Sequence, residues 1–166
     1  MFINDNQSFF HMANIAPDLF ANRIFLSILI AGAVSQILKI IIITVKHKQK
    51  FSFNDLIVTG GMPSTHSALV SSLAAIIFLE QGLSALFFVV LTFSLIVLRD
   101  SMGVRRSVGE EGKAIEKIVK YERIKIDRFR YALGHSPIEV IIGLVIGLVS
   151  AILVYSINMF KSSLTL

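Results

Sequence analysis

Apolar runs decide what this chain can become. Four stretches, Ile24–Val45, His66–Leu79, Leu83–Leu98 and Ile138–Ile157, reach or approach the length that crosses a membrane and carry at most one charge each. A transmembrane helix takes about 20 such residues. The second and third runs are short. They cross if the second begins within the Pro63 motif and if both tilt little. The expected fold is therefore all-α: a polytopic membrane helix bundle of about four transmembrane helices plus a cytoplasmic interfacial helix, forming one domain over residues 1–166.

Composition agrees with a lipid solvent. The chain is 54% hydrophobic and 16% charged, where soluble domains carry about 25% charged residues, and its mean hydropathy is +0.75. It has no cysteine, which excludes disulfides, thiolate catalysis and cysteine metal sites. No Pro-, Gly- or Ser-rich linker and no internal repeat divides it. The first apolar run is too long for a signal peptide and lacks a basic region before it, so nothing reads as cleavable. Residues 1–21, with Pro17, read as a short interfacial segment.

Basic residues set the expected topology. With four crossings, the loops Lys46–Gly61 and Arg99–Gly134 share a side, and nearly all lysines and arginines fall there. The other side keeps only Arg23 and Lys161. The bias of basic residues toward cytoplasmic loops makes the first side cytoplasmic, with both termini outside. This is expected to be a multi-pass protein of the cell membrane. The net charge of +5 is then concentrated at one face, as a topology signal or as a surface for anionic headgroups.

The same topology gathers four clusters of chemically capable residues at that face. Lys39 and Lys46 close the first helix and lie two turns apart on a shared face. Lys39 sits roughly 10 Å inside its helix end, so it either snorkels or meets an anion inside the protein. Gly60-Gly61-Met62-Pro63-Ser64-Thr65-His66-Ser67 opens the second helix. Its proline and hydroxyls suit a well-capped start. A helix N-terminus behind glycines also suits an anion, and His66 is the residue a cap explains least. Asp100-Ser101-Met102-Gly103-Val104-Arg105-Arg106 follows the third helix. Its paired arginines after a glycine turn offer forked donors to phosphate or serve as a positive-inside anchor. Gly112–Tyr131 reads as the interfacial helix, with Ile115, Ile118 and Val119 on one side, and acts as a lid or scaffold.

The fourth cluster is Gly134-His135-Ser136-Pro137-Ile138-Glu139. Ser136, Pro137 and Glu139 match a capping box. His135 and Glu139 are also four apart, which lets a carboxylate orient an imidazole. Gly143-x-x-x-Gly147 continues the stripe and is expected to seat another helix closely.

These motifs, in this order, resemble the type-2 phosphatidic acid phosphatase superfamily, which includes vanadium haloperoxidases, and in particular its divergent membrane branch. The likeness covers roughly Gln36–Gly147. It implies a metal-independent hydrolase of phosphoric esters or diphosphates that works through phosphohistidine. By the resemblance, His135 attacks phosphorus, Glu139 stands where an aspartate holds that histidine, and His66 protonates the leaving oxygen. Ser64, the amide of Thr65, Lys39 and Lys46 would bind phosphate. The chain departs from the pattern in several ways, Lys46 lacking the proline that follows in the family and the motif face being cytoplasmic where many membrane relatives face outward. Thr65 replaces a glycine, Glu139 is one methylene longer than aspartate, and Phe129 stands where an arginine is expected. Arg105 and Arg106 could supply that clamp.

The expected activity is hydrolysis of a phosphorylated lipid or isoprenoid at the cytoplasmic leaflet. No cofactor or metal is implied. The expected partners are membrane lipids and that substrate, with no nucleic acid, and the chain could pair as a homodimer. A non-catalytic protein that binds phosphorylated lipids, or assists assembly with a degenerate site, is the alternative. A vanadate-dependent oxidase is a third reading.

Overall fold

The computed structural model describes residues 19, 21–47, 61–124 and 134–164. Among these residues it is entirely helical. The helices are α1 (Arg23–His47), α2 (Thr65–Gln81), α3 (Ala85–Met102), α4 (Val104–Tyr121) and α5 (Pro137–Leu164). Three segments are long and apolar enough to cross a membrane: Arg23–Val45, the run beginning at Ala85, and Pro137–Ile157. At 17 residues, α2 stands at the short end of the crossing range. The segments at 48–60 and 125–133, with Arg128, Phe129 and Arg130, lie outside the described residues, as do residues 1–18.

Local chemistry fixes the helix ends. Asn22 Oδ1 accepts from the amides of Ile24 (2.9 Å) and Phe25 (3.1 Å) and starts α1. Ser64 is the N-cap of α2, and its hydroxyl accepts from Ser67 N at 3.4 Å. Pro63 precedes that cap rather than occupying the first helical turn. Gly82, at φ 64°, ends α2 and donates to the Phe78 carbonyl at 2.8 Å. Such left-handed backbone is the ordinary helix stop for a residue without Cβ. Ser84 then caps α3 through the Phe87 amide at 3.2 Å, giving a tight hairpin.

Inside lipid there is no hydrophobic force to press helices together, so close approach and hydroxyl bonds must do it. The bundle follows that rule, with α2 at its centre, against α1, α3 and α5. On α1, Ser27, Ala31, Ser35 and Lys39 form a buried stripe at four-residue spacing. Ser27 shares a 2.6 Å hydroxyl bond with Ser72, and Ser35 donates to Thr65 Oγ1 at 3.0 Å. On α5, Gly143 and Gly147 meet α2 so closely that a Cβ at Gly143 would overlap the Ser64 carbonyl oxygen. One at Gly147 would overlap Ser71 Oγ and the Ala68 carbonyl. Ser71 Oγ adds a bond of 3.2 Å to the Leu144 carbonyl. The glycine pair therefore seats α5 on α2, as its spacing implies.

At the opposite end from these glycines, Ile76, Ile77, Val90 and Ala151 form an apolar cluster with Ile24 and Tyr155 around it. There Arg23 faces Glu80 at 3.9 Å. The helices thus alternate in direction, and the C-terminal ends of α1 and α3 meet the N-terminal ends of α2 and α5.

One expectation changes. The segment after the third helix is not a turn leading to a helix at Gly112. α3 runs on through Asp100 to Met102, only Gly103 interrupts, and α4 begins at Val104. Nothing in Asp100–Met102 breaks a helix. Gly103 alone allows the bend, because a Cβ there would sit 2.9 Å from the Arg99 carbonyl. α4 is strongly amphipathic: Val104, Val108, Ile115 and Ile118 expose one apolar stripe, and its charged residues other than Glu111 lie away from that stripe.

Candidate functional site

The site is assembled by backbone as much as by side chains. Ser64 N donates to the Glu139 carbonyl at 3.0 Å, joining the start of α2 to the start of α5. His135 N donates to the Ser101 carbonyl at 3.1 Å, fixing the residue before α5 against the end of α3. His66 and His135 are brought to a ring separation of 6.1 Å at 59°.

His135 is buried, at 3% exposure. Its Nδ1 lies 3.1 Å from Glu139 Oε2. The same oxygen accepts from the Ser136 amide at 3.1 Å, and Ser136 Oγ accepts from the Glu139 amide at 3.4 Å. The capping box and the histidine–carboxylate pair expected from sequence are therefore one arrangement. A carboxylate that is ionised can only accept, so toward it Nδ1 is the donor, and a neutral ring then holds its lone pair on Nε2. An imidazole held this way is suited to nucleophilic attack.

Around it lies a cavity of about 370 Å³. Gly61, Gly134, His135, Ser136 and Glu139 form one wall, and Arg106, Gly109, Glu110 and Lys113 of α4 form the other. Arg106 Nε meets Glu110 Oε1 at 3.2 Å. Arg106 and Lys113 thus face His135 across this space, and two cations so placed can stabilise developing negative charge.

The other expected ligands are placed as follows. Lys39 is buried at 5% exposure, near enough to Glu139 for their charges to interact. It points inward rather than snorkelling. Ser64 is fully buried, and its hydroxyl accepts from Ser67 Oγ at 2.9 Å, so it works at least as a cap. Thr65 binds Ser35 through its hydroxyl. Lys46 lies in the last turns of α1 and Arg105 in the first turn of α4, and their side chains are outside the described part.

Sequence reasoning missed Lys113 as part of the site. Arg106 and Lys113 are two helical turns apart and share a face, but that signal exists only once the helix is known to start at Val104. Among the described residues, no three His, Cys, Asp or Glu side chains cluster as a metal site.

Comparison with known proteins agrees with this architecture. The model of the family described as "Divergent PAP2 family" matches residues 20–150, a span that includes every motif above. "Uncharacterized membrane protein YuiD" of Bacillus subtilis (strain 168) is 36% identical over 155 residues, covering 83% of this chain and 98% of that protein. No solved structure matches the chain. Matched by that family model over most of its length, this all-helical membrane bundle belongs to the divergent PAP2 family.

Proposed function

We propose that this protein is a phosphatase of the cell membrane, hydrolysing a phosphomonoester or diphosphate of a lipid or isoprenoid presented at the cytoplasmic leaflet. The observation that carries the reading is the 3.1 Å contact between His135 Nδ1 and Glu139 Oε2, with the His66 ring 6.1 Å away. In the first step the Nε2 lone pair of His135 forms a bond to phosphorus as the ester P–O bond breaks. His66, protonated, gives its proton to the departing oxygen. In the second step His66 takes a proton from water, the water oxygen bonds to phosphorus, the P–N bond breaks, and phosphate leaves. Lys39, Lys46, Ser64, the Thr65 amide, Arg105 and Arg106 are the proposed phosphate ligands, joined by Lys113. Their charges offset the oxyanion charge of the transition state.

The test is phosphoryl trapping. Wild-type protein given a labelled phosphoester and quenched should hold acid-labile, base-stable label. His135→Ala should insert and fold but lose both label and turnover. Near-normal turnover by His135→Ala would remove this mechanism.

Two features favour a second reading, a protein that binds phosphorylated lipids without hydrolysis. The Ser64 hydroxyl is fully buried within its cap, and Arg106 is engaged by Glu110. That reading predicts lipid phosphate affinity with no turnover of any phosphoester by folded protein.

A further inference from the structure

A second cavity, of about 460 Å³, opens between α3 and α5 over a floor made by α2. It arises from how the bundle packs. Gly143 and Gly147 draw α5 onto α2, α3 leans on α2, and α3 and α5 barely meet. The walls are apolar. Its two hydroxyls are already bonded to the backbone: Ser94 to the Val90 carbonyl at 2.7 Å, and Ser71 to Leu144 at 3.2 Å. Neither hydroxyl therefore has a proton left to donate to a ligand.

Its position relates it to the histidine pair. His66, Val70, Ala74 and Phe78 follow one another at four-residue spacing on α2, so they share one stripe, and the last three line the cleft. On α5 the lining residues Leu144, Leu148 and Ile152 start about 7.5 Å along the helix from Glu139. At the far end, Phe78 and Phe87 stack with ring centres 5.3 Å apart. The cleft thus begins at Val70, one turn along α2 from His66, and runs about 12 Å along α2 and α5, two turns plus of helix.

We infer that this cleft holds the apolar chain of the phosphorylated substrate, and that its length selects for chain length. The inference rests on the phosphatase reading for its orientation. In an in-line displacement the leaving oxygen lies opposite the attacking nitrogen. With His135 attacking and His66 protonating, that oxygen is beside His66, and whatever it carries continues down the His66–Phe78 stripe. A cleft of about 12 Å takes roughly nine or ten extended methylenes, since a zigzag of carbon–carbon bonds of about 1.5 Å advances about 1.25 Å per carbon. The ligand is then one linear or isoprenoid chain bearing a terminal phosphate.

Alkyl phosphates from four to twelve carbons, each below its micelle concentration, test this with the full-length protein in detergent. KM should fall by roughly two- to fourfold per methylene up to about nine or ten carbons and then level. Ala74→Leu on the cleft floor should move the plateau to shorter chains. Leu148→Trp, at a lipid-exposed rim residue (49% exposed) that tolerates bulk, should do the same. Both should leave turnover of nitrophenyl phosphate within about twofold. A chain-length profile unchanged by both variants overturns the cleft while leaving hydrolysis standing. Photolabelling with dodecyl phosphate bearing a terminal diazirine gives a second readout. Label near Phe78, Phe87 and Ile152, displaced by decyl phosphate and not by decanol, supports the cleft even if no ester is hydrolysed. Equal displacement by decanol means ordinary lipid contact and overturns it.

Discussion

Gly143→Ala is the sharpest probe of how α2 and α5 build the site. The new methyl would overlap the Ser64 carbonyl oxygen and stand 2.8 Å from Ser67 Cβ and 3.3 Å from Ala68 N. Non-bonded carbon contacts relax near 3.5–4.0 Å, so the start of α2 must retreat by about 1 Å. Two of the three neighbours are backbone atoms, which cannot rotate away. Overpacking of this kind costs about 1–3 kcal/mol, a fall in melting temperature of roughly 2–12 °C. The retreat also stretches the 3.0 Å bond from Ser64 N to the Glu139 carbonyl and carries His66 away from His135. A misplacement near 1 Å can cost about 100-fold in rate. Melting by intrinsic fluorescence or thermal aggregation in detergent reads the first effect, and phosphoester turnover reads the second. Gly147→Ala, one turn farther from the histidines, should destabilise comparably but reduce turnover much less. A Gly143→Ala protein that melts like wild type would refute the close helix approach and everything built on it.

Three further outcomes are expected. Glu139→Gln should preserve helix stability within a few degrees, yet lower turnover about 10²–10⁴-fold, since a neutral amide does not fix the imidazole tautomer. A loss under threefold would show that Glu139 only caps. His66→Ala should slow an alkyl phosphate about 10²–10⁴-fold and nitrophenyl phosphate far less, because only a basic leaving oxygen needs the acid. Equal losses would exclude that role. Lys48→Cys and Lys120→Cys, in a chain without native cysteine, should resist an impermeant thiol reagent in intact cells and react in inverted vesicles. Labelling from outside would reverse the proposed orientation.

Where the sequence carried its own stop and start signals, it was legible. Ser64 and Ser136 mark helix starts through capping chemistry, and α2 and α5 begin next to them. The Gly143–Gly147 spacing pointed to a close crossing, and one exists. The meeting of His66 with His135 followed from counting crossings, which is how residues nearly 70 positions apart could be placed together at all. α4 was the failure. Its start at Gly103 has no side-chain cap bond, and its apolar residues are diluted by charges and by Gly109 and Gly112. The apolar spacing of Ile115 and Ile118 shows a helix there, but nothing marks its start at Val104, so Lys113 could not be placed across from His135. The cleft between α3 and α5 was equally invisible, since it depends on which helices do not touch.

One carboxylate oxygen, Glu139 Oε2, serves both the Ser136 amide and the His135 ring. The contact that orients the His135 ring therefore forms only when the first turn of α5 has formed around Ser136, and the bond from Ser64 N ties that turn to its neighbour. A chain inserted with α5 frayed, or with α2 not yet docked, has the right residues in its sequence and an unarmed histidine. In the hydrolase proposed above, such a linkage keeps partly assembled copies silent until the bundle closes.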